Sequence, residues 1–131
     1  MRVRLFVCAG VAWLMTATPG FSHHSFSAEF DVGRPVSITG TVSSIEWTNP
    51  HAWIFVDAED DQGNVEGWAV EMLGINALMR SGVTPRTLKA GDAISVEGYG
   101  SRDGSNTANA SLVIRADTGE TLWASASGGR N

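Results

Sequence analysis

The sequence predicts an all-β protein with one short helix, folded as a small antiparallel OB-like β-barrel. Three observations lead there. Apolar and β-branched residues recur with strand periodicity in five or six short runs. Only one run between them changes to helical spacing. The order is three strands, a helix, then two or three strands, β-β-β-α-β-β. One short helix cannot cover both faces of such a sheet, whereas a barrel closed on itself removes its edges and needs a helix only to plug one end. A lipocalin-type barrel would need eight strands, and an immunoglobulin-like sandwich would have no use for the helix.

The first strand is PVSITGTVSSIEW, residues 35–47, with Val36, Ile38, Val42 and Ile45 on its apolar side and a slip expected near Gly40. Thr48-Asn49-Pro50 breaks it, because the residue before proline is driven out of the helical region. HAWIFVDAE, residues 51–59, is the second strand. The polar turn Asp60–Asn64 joins it as a hairpin to VEGWAVEM, residues 65–72. Ile75, Leu78 and Met79 then fall at i, i+3 and i+4, a short helix over residues 74–81 with Gly82 as its C-terminal cap. A loop over residues 84–92 leads into AISVEGYG, residues 93–100. A Gly/Ser/Asn/Asp turn, Arg102–Asn106, precedes ANASLVIRA, residues 108–116, and Thr121–Ala124 forms a short last strand.

Ahead of this domain the sequence reads as a leader and an arm. Arg2 and Arg4 precede the apolar run Leu5–Ala17, which is shorter than the about 20 residues a membrane span needs. Pro19-Gly20 follows, and Gly20-Phe21-Ser22 suits cleavage after Ser22. The expected division is a signal peptide over 1–22, an irregular arm over 23–34, the barrel over 35–124 and a small polar tail over 125–131. Export to the periplasm or beyond follows, with no stable membrane anchor after cleavage. Removing 22 of 131 residues leaves 109, and Cys8, the one cysteine, leaves with the leader. The exported chain therefore has no disulfide and no thiolate ligand or nucleophile. Its charge is −7: seven basic residues remain once Arg2 and Arg4 are gone, against 14 acidic ones. An acidic surface without a Lys/Arg cluster argues against nucleic acid as a partner.

The candidate chemistry is concentrated in the three histidines. Cleavage after Ser22 makes His23 the first residue, so its α-amine and imidazole can chelate one metal ion together. His24 can instead supply its ring, the preceding amide and the α-amine. His51 is the candidate for the opposing position. An all-nitrogen set of this kind suits copper(II) first, and zinc remains open. The α-amine titrates at about 7.7–8.0, so a metal must displace its proton. Asp31 is the candidate oxygen ligand or supporting carboxylate, and Glu46 and Glu71 are weaker ones. The bland alternative is that the histidines only hydrogen-bond backbone or face solvent. In W-T-N-P-H-A-W, Trp47 and Trp53 flank a turn in which Asn49 is a natural turn former, and the two rings could wall a groove with His51 at its mouth. Core packing is the plainer reading for at least one of them. Catalytic motifs do not assemble. There is no G-x-S-x-G elbow and no phosphate loop, and DAEDDQGN, residues 57–64, lacks the order and terminal Glu of a calcium loop.

Taken together, HHSF at 23–26, Phe30-Asp31, TGTVSSIEWTNPHAWIFV, EGWAVEM and LKAGDAISVEGYGSRDGS resemble domain-of-unknown-function family 6152. The likeness runs over about residues 23–123. It implies a small protein exported by gram-negative bacteria with an OB-like barrel, and leaves activity open. The expected function is a non-catalytic periplasmic protein that binds a transition metal through His23, His24 and His51. The alternative is an interaction module, in which the arm with Phe26 and the Trp47/Trp53 surface binds a partner protein or forms a homodimer. A copper redox enzyme is the least favoured reading, because so small a barrel leaves little room for a substrate cleft.

Overall fold

The computed structural model describes residues 25–125. A four-residue helix α1 (Phe26–Glu29) leads into β1 (Phe30–Glu46), followed by β2 (Trp53–Glu59), β3 (Val65–Glu71), α2 (Ile75–Arg80), β4 (Ala93–Ser101), β5 (Thr107–Arg115) and β6 (Thr121–Ala124). The six strands form one sheet in the order β3-β2-β1-β4-β5-β6. Its neighbours pair antiparallel. A parallel pairing of β3 with β5, Ala69↔Thr107 to Glu71↔Asn109, closes the strands into a ring. The expected class, mostly antiparallel β with one short helix between β3 and β4, is what the chain adopts. The short helix α1 is added to that order, and β6 is the expected short last strand.

One face of the ring is apolar for a simple reason. Ile38 and Val42 of β1, Ile54 and Val56 of β2, Val70 of β3, Ile94 and Val96 of β4 and Val113 of β5 recur at even spacing along their strands, and all are buried. Each such side chain contributes about 1.5–3 kcal/mol when fully buried. Helix α2 inserts Leu78 into the same core, joined by Val83 and Leu88 from the following loop. The helix ends as the sequence suggests. The Gly82 amide donates to the Met79 carbonyl at 3.1 Å and the Val83 amide to the Leu78 carbonyl at 2.9 Å, with Gly82 at φ +89°. These are the paired bonds of a Schellman cap, which needs a residue that tolerates positive φ.

Two features differ from expectation. The β1–β2 register slips between Val42 and Ser44, a little beyond Gly40. Gly40 instead permits the close approach of β2, because a Cβ there would run into the Asp57 carbonyl. The segment read as an irregular arm is partly regular, since α1 and the start of β1 occupy residues 26–34. Phe30 pairs with Ser101 and Pro35 with Tyr99, with an irregularity between them. Gly33-Arg34-Pro35 disguises a strand that exists because β4 is long enough to pair with it.

Candidate functional site: a histidine–glutamate pair in the N-terminal cleft

The turn between β1 and β2 fixes His51. Its Asn49–Pro50 peptide is cis, and the Thr48 hydroxyl donates to the His51 carbonyl at 3.3 Å. The next residue is pinned from both sides: the Ala52 amide donates to the Leu73 carbonyl at 3.1 Å, and the Met72 amide to the Ala52 carbonyl at 2.8 Å. Gly74 lies so close that a Cβ there would sit 2.8 Å from the Pro50 carbonyl oxygen. The turn is thereby locked to the end of β3.

That lock places His51 against Glu71. The Nδ1 atom of His51 contacts Oε1 of Glu71, with side-chain exposures of 38% and 5%. Glu71 is opposite Trp53 on β2 and Asn109 on β5, and its neighbour Val70 belongs to the core. In a strand, adjacent side chains face opposite ways, so Glu71 points away from the core and is nevertheless buried. Glu29, Phe30 and Val32 of the N-terminal segment line the same cleft. Burial, and after it the negative charge of Glu29, raise the Glu71 carboxyl to a pKa of about 7. With Nδ1 engaged by Glu71, Nε2 is the ring nitrogen through which His51 would ligate. A carboxylate that orients a histidine from behind is the usual support of a metal-binding imidazole.

The pair lines a cleft of about 510 Å³ whose walls include Phe26, Glu29, Val32, Leu73 and Tyr99. Among the described residues its acidic side chains are Glu29 and Glu71, with no lysine or arginine, so it favours a cation over an anion. The Phe26 ring meets Phe30 at 5.6 Å and stands edge-on to Tyr99 at 5.9 Å. Arg102, in the β4–β5 turn, donates its backbone amide to the Glu29 carbonyl at 2.8 Å and its Nε to the Ser27 carbonyl at 2.7 Å.

The sequence-based candidates are distributed as follows. His23 and His24 lie outside the described residues; Ser25, directly after His24, is the first described. Phe26 and His51 line the same cleft. Asp31 does not line it. Its Oδ1 accepts the Gly33 amide at 2.9 Å, while its neighbours Phe30 and Val32 face the cleft. Trp47 packs on the core and lines an apolar crevice with Ile54 and Leu78. Trp53 lines a separate cleft with Phe30 and Arg102. The two tryptophans thus serve different surfaces, since Trp53 and its neighbour Ile54 face opposite ways. Asn49 is exposed in the cis turn, near Gly74. Glu46 is exposed. Among the described residues, no group of three or more His, Cys, Asp or Glu is arranged to hold a metal ion.

Sequence reasoning gave Glu71 too little weight and missed Glu29, Tyr99 and Arg102. One signal for Glu71 was available. Glu66 and Glu71 are five apart, so in a period-two strand they face opposite ways, and only one can lie on the face where Trp53 packs.

The molecule is therefore a ring-closed β domain with an acidic, histidine-bearing cleft beside its N-terminal segment. The chain belongs to the family of unknown function DUF6152, whose model matches residues 12–110. No curated protein matches it. Among solved structures, it is similar to a chain in the crystal structure of a complex of TiaS with an isoleucine tRNA and ATP, at 17% identity and a TM-score of 0.47. That match covers 63% of this chain and 18% of the other, a likeness too slight to carry an argument about function.

Proposed function

We propose that the protein is an exported, non-catalytic binding protein that holds one transition-metal ion, copper(II) first, between His51 and the histidines at 23 and 24. One observation carries this reading: His51 has its Nδ1 on the buried carboxyl of Glu71, in a cleft whose wall begins at Phe26, two residues after His24. Glu71 then acts as the supporting carboxylate, orienting the ring so that Nε2 faces a metal. Cleavage after Ser22 would add the α-amine of His23 and complete a nitrogen-rich set that copper(II) prefers. Asp31 is set aside as a ligand, because its carboxylate serves Gly33.

The test is native mass spectrometry of the protein produced with its leader in a gram-negative host, before and after one equivalent of copper(II) or zinc(II). The expected result is a chain starting at His23 that retains one copper, and a His51→Ala variant that retains none. A chain starting at His23 that holds no metal would overturn the reading.

A second reading rests on a different observation. Of the five large hydrophobic residues exposed among the described residues, Phe26, Val32 and Leu73 line this one cleft. Such a rim suits a protein partner or a second copy. In that case light scattering shows a concentration-dependent mass that Leu73→Ser lowers and that chelators leave unchanged.

A further inference from the structure

We propose that Arg102 is a positioning residue that latches the N-terminal segment over the His51 cleft, so that the β4–β5 turn controls the affinity of the site. The inference rests on the metal-binding reading above and adds what holds that site together.

Helix α1 contributes no buried residue of its own. A four-residue helix is too short to be stable unaided. Something outside it must therefore fix its position. The Phe26 ring rests on Phe30 and on the edge of Tyr99, and part of it remains in solvent. The long-range hydrogen bonds to α1 come from Arg102, which reaches Glu29 through its amide and Ser27 through its guanidinium, 75 residues away in sequence. Nearby, Nη1 of Arg34 donates to the Ser101 carbonyl at 2.7 Å, tying the start of β1 to the same end of β4. The turn that presents Arg102 is itself stiff. The Ser101 hydroxyl donates to Asp103 Oδ1 at 2.6 Å, and the Ser105 amide donates to the same oxygen at 2.9 Å.

The latch matters because of where α1 lies. Glu29 and Phe30 form part of the wall of the His51 cleft and also of the Trp53 cleft. The segment is thus the divide between two depressions. Releasing it would merge them and remove Glu29 and Phe30 from the wall of the His51 cleft. Only one bond of the latch, the guanidinium bond to Ser27, depends on the identity of residue 102.

The experiment compares wild type, Arg102→Ala and His51→Ala in two measurements: copper(II) affinity by competition with a chelator of known strength, and hydrogen exchange at the Ala28 and Phe30 amides. Both amides are bonded within α1 or at its end, to Ser25 and Phe26, so they report whether it stays formed. The expected result for Arg102→Ala is faster exchange at both amides and copper affinity weaker by roughly tenfold, the scale of one charge-assisted hydrogen bond. His51→Ala should lose copper while keeping the exchange pattern of α1. If wild type binds copper and Arg102→Ala binds it equally well, the latch is overturned and the metal reading stands. If wild type binds none, the metal reading falls, and exchange alone decides whether Arg102 fixes the segment. Unchanged exchange in Arg102→Ala overturns the latch in every case.

Discussion

At Glu71 the folded chain holds a proton more tightly than the unfolded chain does. Burial and then Glu29 lift its pKa from an ordinary 4.5 to about 7. An acid whose folded pKa is raised gives its full stabilisation below the unfolded pKa, and that contribution is lost as pH rises through the folded one. Folding stability should therefore fall between pH 4.5 and about pH 7 by on the order of 1–3 kcal/mol from this group. Denaturant unfolding across that range should show the decline in wild type and a flatter profile in Glu71→Gln. A wild-type stability that rises with pH there, with Glu71→Gln parallel to it, would contradict the assignment. His51 was legible as a candidate because histidines are few and sit in two compact motifs. Its carboxylate partner was less so. Glu71 is one of several acidic residues in alternating strands, and its burial between β2 and β5 depends on the closing of the sheet.

At the scale of elements, the backbone rather than the side chain sets the strictest demands. Gly40 and Gly98 each stand where a Cβ would strike a neighbouring strand's carbonyl, of Asp57 and Asn109 respectively. Gly67, in β3, has no atom within 4 Å of an added Cβ and no positive φ. Replacing either of the first two by alanine should cost about 3 kcal/mol, the upper end of an overpacking penalty. Gly67→Ala should be neutral or stabilising by up to about 1 kcal/mol, through the reduced entropy of the unfolded chain. Thermal unfolding of the three variants checks this, and equal losses at all three would show that local strand propensity, not close approach, governs these sites. By the same measurement, Leu78→Ala should cost about 2–5 kcal/mol, because Leu78 is the buried anchor of α2 in the core. The strands from β2 onward were readable to within about two residues, since their apolar alternation and Gly-rich turns agree with the sheet. The early start of β1 was not. Glycine and proline at 33 and 35 argue locally against a strand, and only pairing with β4 overrides them.

At the scale of the whole molecule, the ring of strands could be anticipated from the order of elements, while the cleft could not. Its walls come from the N-terminal segment, the β1–β2 turn, the end of β3, strands β4 and β5, and β6, which meet only once β3 pairs with β5. That closing pairing spans just three registered pairs and includes Glu71↔Asn109. A ligand held between His51 and the N-terminal segment therefore sits across the seam of the ring, and it should stabilise the fold as a whole. For a metal that binds the native chain alone, the gain is RT ln(1 + [L]/Kd), about 2.7 kcal/mol at a hundredfold excess over Kd. In a domain of this size each kcal/mol moves the midpoint by about 4–8 °C. Copper(II) should accordingly raise the Tm of wild type by roughly 10 °C or more, and a chelator should reverse it. The His51→Ala protein should show no such gain. A fall in Tm with added copper would mean that the unfolded chain, whose histidines are all accessible, binds the metal better than the folded one. That outcome would remove the cleft from the metal reading and leave its apolar rim, Phe26, Val32 and Leu73, as the feature to explain.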